Sequence, residues 1–198
     1  MLSLRAAERD LVARKVKEAT HIIFSLGTAF LITSAFLRLN PGFQGGSGGV
    51  LFVLAAWLAF SVNHVVDSLG HDIVYTGQGE RLPVRSWRTH SVFTTPLWGV
   101  LVGSASVLGV WFLLSEMMGP IIPAPKELPA ALALWASFLG AAVAYTHLLP
   151  DSLTQAGVYY WKKRAAIAHW RYDSFLGNAL FIIVGLGFLA AAFRLLNV

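Results

Sequence analysis

The side chains of this 198-residue chain that could do chemistry are imidazoles and carboxylates placed about one helical turn apart. His64, Asp67 and His71 are separated by three and then four residues, which puts them on one face of a helix, unless the helix ends near Gly70 and His71 lies on the following turn. His147 and Asp151 repeat the four-residue spacing. Side chains paired in this way can approach the same point in space, as the ligands of a metal ion must.

Three further histidines extend this set. His169 precedes Asp173 by four residues, His21 opens the first apolar stretch, and His90 lies in the sequence RTHS. Imidazole nitrogen and carboxylate oxygen are ligands for zinc, manganese and iron. The chain has no cysteine, so thiolate ligands and thiol catalysis are excluded. The pattern predicts a divalent metal site built from nitrogen and oxygen.

The composition predicts the elements that must position these residues. Hydrophobic residues make up 56% of the chain and charged residues 13%, whereas soluble domains carry about 25% charged residues. Five uncharged apolar stretches are each long enough to cross a bilayer core of about 30 Å. They cover residues 19–37, 50–66, 91–115, 128–150 and 174–193. We therefore expect an all-α integral membrane bundle of about five transmembrane helices, forming a single domain over residues 1–198.

The distribution of positive charge predicts the orientation. Lys and Arg residues number 12 on one side of the five stretches and 3 on the other. Because cytoplasmic loops carry the positive excess, the N-terminus is expected inside a plasma or inner membrane. All six histidines then lie near the cytoplasmic surface. Since this asymmetry accounts for the net charge of +5, no nucleic-acid partner is expected.

The segments on the cytoplasmic side suggest contacts with membrane lipids. Residues 4–18 mix leucine and valine with charges, which indicates a short amphipathic helix on the inner surface or, equally well, a charged anchor. Residues 72–92 and 150–173 combine tryptophan and tyrosine with basic residues. Such segments are typical of an interfacial belt, and a basic rim that attracts phosphate groups is the alternative.

Three phrases carry a resemblance to a known family. They are THIIFS at 20–25, RTHSVF at 88–93 and YTHLLPDSLTQAGVYYW at 145–161. In this order they resemble the LexA-regulated, membrane-bound metal-dependent hydrolases. The resemblance implies a set of metal ligands: His21, Asp67, His71, His90, His147 and Asp151.

One motif departs from that family. Its members have a compact Asp-x-Asp-His where this chain reads HVVDSLGHD, so His64 and Asp72 stay open as alternative ligands beside His71. The ligand order is also similar, more weakly, to that of zinc-dependent phospholipases C and single-strand nucleases. That similarity adds His169 as an alternative ligand or a residue supporting one.

Together these features predict a metal-dependent hydrolase that binds one to three divalent ions. Zinc is the expected metal, and manganese and iron are the alternatives. The expected substrate is a phosphoester, lipid or lipid-linked, at the cytoplasmic leaflet. Asp67 or Asp173 would act as base. Arg88 would pair with a phosphate oxygen, although an anchoring role in the positive-inside pattern explains it equally well.

Two other classes stay open. A haem-binding electron carrier would use His147 with His64 or His71, and would leave the aspartates without a role. A non-catalytic scaffold or channel would need none of these residues as ligands. Self-association into a homo-oligomer is compatible with each of the three.

Overall fold

The structure is a computed structural model that describes residues 2–44, 46–75, 81–117, 129–155, 157–171 and 174–196. Its elements are, in chain order, α1 (Leu2–Leu39), a 3-10 turn (Pro41–Phe43), α2 (Gly46–Ser68), β1 (His71–Tyr75), β2 (Arg81–Arg85), α3 (Thr95–Phe112) with a π-helical extension (Leu113–Met117), α4 (Ala130–Leu153), β3 (Val158–Tyr160), β4 (Lys163–Ala165) and α5 (Phe175–Leu196).

The five α-helices contain the five apolar stretches, as the sequence predicted. Each helix includes a segment long and apolar enough to cross a membrane: Glu18–Leu39, Gly48–Ser68, Thr95–Glu116, Ala130–Leu153 and Phe175–Leu196. A helix satisfies its own backbone hydrogen bonds, which is why apolar stretches of this length adopt it in lipid. The prediction of a mostly helical protein with five apolar helices is confirmed.

Two helix boundaries differ from those expected. Residues 4–18 are helical, but they continue without a break into the first apolar stretch, so α1 is one helix about 57 Å long rather than a surface helix followed by a span. The third helix begins at Thr95 instead of residue 91. Ser91 forms a bridge with Tyr159, and the Thr95 hydroxyl donates to the carbonyls of Thr89 and Ser91.

Two small antiparallel sheets interrupt the otherwise helical fold, and the sequence pattern did not predict them. β1 pairs with β2, with His71 opposite Arg85, and β3 pairs with β4, with Val158 opposite Ala165. Each hairpin follows a helix whose last turns carry candidate ligands. Pro83 within β2 and the brevity of β3 and β4 obscured the strand signal, since proline and short length both argue against strands.

Small residues set the distance between the packed helices. α3 approaches α4 so closely that a Cβ on Gly99 would overlap the backbone carbonyl of Gly140. The same holds for α1 and α5, where Gly27 faces Gly185. α4 lies at the centre and contacts α1, α2 and α3. This backbone contact fixes the relative positions of the helix ends that carry the site.

The α3–α4 contact gives a matched stability test. Gly99→Ala should lower the free energy of unfolding by about 1–3 kcal/mol, because backbone must move to accept the methyl group. Gly109 lies on the same helix with nothing within 4 Å of an added Cβ, so Gly109→Ala should leave stability unchanged or raise it by up to about 1 kcal/mol. Thermal unfolding of both variants in detergent, followed by circular dichroism, measures the difference. Equal melting temperatures would contradict the assigned packing.

Candidate metal centre

Four segments bring their polar side chains to one point at the same end of the bundle. α1 contributes His21, and the last turns of α2 contribute Asp67. The last turns of α4 contribute His147 and Asp151, and the turn between β2 and α3 contributes His90. These five residues, called the inner cluster below, were all predicted as metal ligands.

The ligand atoms of three of these residues lie close enough to share one ion. Single atoms of Asp67, His90 and His147 all lie within 4.8 Å of one another. Nε2 of His147 is 3.4 Å from Oδ1 of Asp67, and Nε2 of His90 is 3.9 Å from the same oxygen. Ligands about 2.1 Å from a tetrahedral ion are separated by about 3.4 Å. A small contraction of this triangle would therefore give zinc-like distances.

Asp151 lies beside the triangle and joins all three imidazoles. Its Oδ2 is 3.7 Å from Nε2 of His90 and 3.8 Å from Nε2 of His147. Its Oδ1 is 3.4 Å from Nε2 of His21. The His21 ring stacks on the His147 ring with centroids 4.4 Å apart. Asp151 is thus placed to be a fourth ligand, or to bridge two ions through its two oxygens.

Burial divides the cluster into a closed side and an open side. The side chains of His90 and His147 are fully buried, and those of Asp151 and His21 are 1% and 3% exposed. The Asp67 side chain is 45% exposed. Solvent therefore reaches this centre at Asp67, which leaves room for a water molecule or substrate oxygen to complete a coordination shell.

Asn63 holds His147 in the tautomer that a metal requires. Its amide nitrogen donates to the Ala59 carbonyl at 2.6 Å, which leaves its oxygen to accept from Nδ1 of His147 at 2.7 Å. Nδ1 therefore carries a proton, and Nε2 is the ring nitrogen that faces the cluster. That buried Nε2 lies 3.4 Å from Oδ1 of Asp67 and 3.8 Å from Oδ2 of Asp151. An oriented imidazole of this kind fits a metal ligand.

His90 is kept neutral by its surroundings. Burial lowers the pKa of its imidazole to about 3, and the positive charge of Arg85 acts in the same direction, although Asp151 opposes it. A neutral imidazole retains the lone pair that a metal ion binds. Gly70, at the end of α2, allows this packing, because a Cβ there would collide with the His90 ring.

Arg85 is a member of the site that the sequence did not reveal. Its guanidinium donates to Oδ1 of Asp151 at 2.5 Å and to the Gly157 carbonyl at 3.0 Å. The local sequence does not mark Arg85 as a site residue, because it lies in a short strand and the same segment contains two other arginines. The ion pair offsets the cost of burying the carboxylate and leaves Oδ2 facing the imidazoles.

Other predicted residues lie elsewhere or outside the described side chains. His64 is exposed and stacks on Phe60, and His169 is exposed in a left-handed backbone conformation. Arg88 is also exposed, and the arginine that reaches the cluster is Arg85. The side chains of His71 and Asp72 lie outside the described part of the structure, as does Asp173 altogether.

Two pockets open beside the cluster, one on each side of His21. The α1–α2 pocket, a cavity of about 40 Å³, is lined by Glu18, His21, Ile22, Phe60, Asn63, His64 and Asp67. The α4–α5 pocket, a cavity of about 20 Å³, is lined by His21, Pro150, Asp151, Thr154, Trp170, Arg171, Ser174, Gly177, Asn178 and Phe181. Each pocket therefore touches two members of the cluster.

The chain belongs to a family described as a protein of unknown function (DUF1286), which matches over residues 16–150. The match includes His21, Asp67, His90 and His147 together with the helices and turn that carry them. It ends one residue before Asp151 and before α5. No curated protein and no solved structure matches the chain.

The Asn63–His147 hydrogen bond generates a prediction about metal affinity. Asn63→Ala should weaken binding of Zn²⁺ about 10–100-fold, because the imidazole loses the partner that fixes its tautomer and orientation. Competition against a chromophoric chelator measures the affinity. Asn40→Ala is a matched control, since Asn40 makes the same amide-to-carbonyl bond to Phe36 within α1. An affinity equal in wild type and Asn63→Ala would refute the assigned tautomer.

Proposed function

We propose that this protein is a membrane-embedded hydrolase that uses one or more divalent metal ions, zinc first, to cleave a phosphoester at the cytoplasmic leaflet. The observation that carries the proposal is the convergence of Asp67, His90 and His147 within 4.8 Å, with Asp151 alongside. Buried imidazoles and carboxylates with one exposed ligand are typical of catalytic metal sites, which keep a coordination position open.

The proposed membrane orientation is supported by charge and by depth. The loops that follow α2 and α4 carry seven of the fifteen Lys and Arg residues, and five more precede the first apolar stretch. Loops of this kind remain cytoplasmic, which places the inner cluster at the level of the inner headgroups. Aspartate near hydrocarbon costs about 2.5–3.5 kcal/mol at the bilayer centre, so its presence at two span ends favours a functional role.

The residues of the cluster have separate tasks in this proposal. His90, His147 and one oxygen of Asp151 would hold the ion. A divalent ion held there would lower the pKa of a coordinated water and polarise the phosphoryl oxygen. Asp67, half exposed, would bind the ion or accept the proton of the attacking water. Arg85 would keep Asp151 ionised and oriented.

The α4–α5 pocket supports the choice of a phosphate-containing, lipid-like substrate. Asp151 and His21 form one wall, and Arg171 provides a guanidinium suited to a phosphate oxygen. Phe181 and Pro150 extend the wall along membrane-level helices. A phosphoester with an anionic head and an apolar tail would match the guanidinium and the apolar wall of this pocket.

The resemblance to LexA-regulated, membrane-bound metal-dependent hydrolases supports the same function. The residues implied by that resemblance include the five of the inner cluster, and these five are the ones that meet. The weaker similarity to zinc-dependent phospholipases C points to the same reaction class, through the pair His147 and Asp151.

Haem binding is less well supported by this geometry. The haem alternative pairs His147 with His64 or His71, and the ring of His147 is already stacked on that of His21, with centroids 4.4 Å apart. His64 stacks on Phe60 at the surface, and the side chain of His71 lies outside the described part of the structure. A scaffold without metal would leave the buried carboxylate and imidazoles of the cluster unexplained.

Metal content tests the proposal directly. Purified protein supplied with Zn²⁺ and Mn²⁺ should retain about one or more ions per chain by elemental analysis. His147→Ala and Asp151→Ala should lose most of this metal, and His169→Ala, an exposed histidine, should retain it. Wild-type protein that holds no metal after supplementation would refute the proposal.

Substrate class is tested by a second variant. Arg171→Gln should raise KM for a phosphate monoester in detergent–lipid micelles about tenfold or more without changing metal content, because a charge-assisted hydrogen bond to the substrate is lost. Phosphate release measures the rate, and Arg164→Gln, exposed and outside both pockets, is the control. A change in kcat alone would place Arg171 outside the substrate pocket.

A further inference from the structure

The two pockets that flank His21 have opposite chemical character. The described residues that line the α1–α2 pocket include the carboxylates of Glu18 and Asp67 and the imidazole of His64, and none of these described residues is Lys or Arg. The described lining of the α4–α5 pocket includes Arg171 and one carboxylate, Asp151, which is paired with Arg85. An ion that approaches this end of the bundle therefore meets an acidic opening on one side and a basic opening on the other.

We propose that the α1–α2 pocket is the access route by which the divalent cation reaches the inner cluster, with Glu18 and His64 as transient ligands at its mouth. This inference rests on the proposed metal centre. It adds a second binding locus, on residues that the centre itself does not use.

Exposure supports the direction of this route. Glu18 and His64 are both exposed, whereas Asn63 and His21 behind them are 4% and 2% exposed. Asp67 lines the pocket and is the one member of the cluster with a substantially exposed side chain. A cation that leaves the mouth therefore meets Asp67 first, and Asp67 is 3.4 Å from Nε2 of His147.

The chemistry of the mouth suits capture rather than storage. Carboxylate and imidazole are the ligand types found in the centre, so a partly hydrated cation can exchange one water for each of them in turn. Glu18 and His64 do not belong to the group of described residues whose ligand atoms lie within 4.8 Å of one another. Glu18 and His64 would therefore hold an ion only briefly before the residues of the inner cluster bind it.

Acidic lining also raises the local concentration of the cation. A cleft of one sign of charge between low-dielectric walls increases association rates by about 10–1,000-fold, and salt screens the effect. The negative charge of the mouth would repel an anionic substrate. The metal ion and the anionic substrate would thus enter through different pockets and would not compete for one opening.

The test measures the rate of metal uptake separately from the amount bound. Chelator-stripped protein in detergent is mixed with Co²⁺ alone, and the visible absorption of the bound ion is followed by stopped flow. Glu18→Gln/His64→Gln should slow uptake about fivefold or more. Its final stoichiometry should equal that of wild type, and the rate of wild type should fall more steeply with added salt than that of the variant.

Glu116→Gln is the matched control, because Glu116 is an exposed carboxylate at the far end of α3 and should leave the rate unchanged. A double variant that loads at the wild-type rate would overturn the access route while leaving the metal centre intact. A double variant with reduced stoichiometry would overturn it as well, by making Glu18 or His64 a resident ligand. Wild-type protein that binds no Co²⁺ would contradict both the proposed metal centre and the proposed access route.

Discussion

The inner end of this bundle depends on one buried carboxylate. Asp151 is 1% exposed and contacts His147 on its own helix, as well as Arg85, His21 and His90 from three other segments of the chain. A carboxylate removed from water must be paired or must bind a cation, because its desolvation otherwise costs several kcal/mol. The need to satisfy Asp151 therefore holds α1, strand β2 of the first hairpin and the turn before α3 against the end of α4.

Close packing of the helices makes this convergence possible. Gly99 on α3 contacts Gly140 on α4 through the backbone, and Gly27 on α1 contacts Gly185 on α5. Gly70, just after α2, likewise allows close contact, because it has no side chain to collide with the ring of His90. Larger side chains would move these elements apart by more than the few tenths of an ångström that a metal site would tolerate. The position of the inner cluster therefore depends on the small residues.

Electrostatic asymmetry extends outward from the cluster. Arg85 pairs with Asp151, which lines the α4–α5 pocket, whereas Asp67 is exposed in the α1–α2 pocket, where no described lining residue is an arginine. One shared wall, His21, separates the two. The inner cluster thus borders two pockets whose described residues differ in charge, and low-dielectric walls preserve this difference by excluding screening water.

The sequence alone predicted the five apolar helices and five candidate ligands. Hydropathy and helical spacing are local properties, so length indicated the spans and the i+4 spacing paired His147 with Asp151. Only the tertiary structure decided which polar neighbours join them. Asn63 carried a weak signal as an amide within an apolar span, and Arg85 carried none, since its partner lies 66 residues away. The exposure of His64 and the two hairpins were likewise decided by packing, where contacts between distant segments outweigh local pattern.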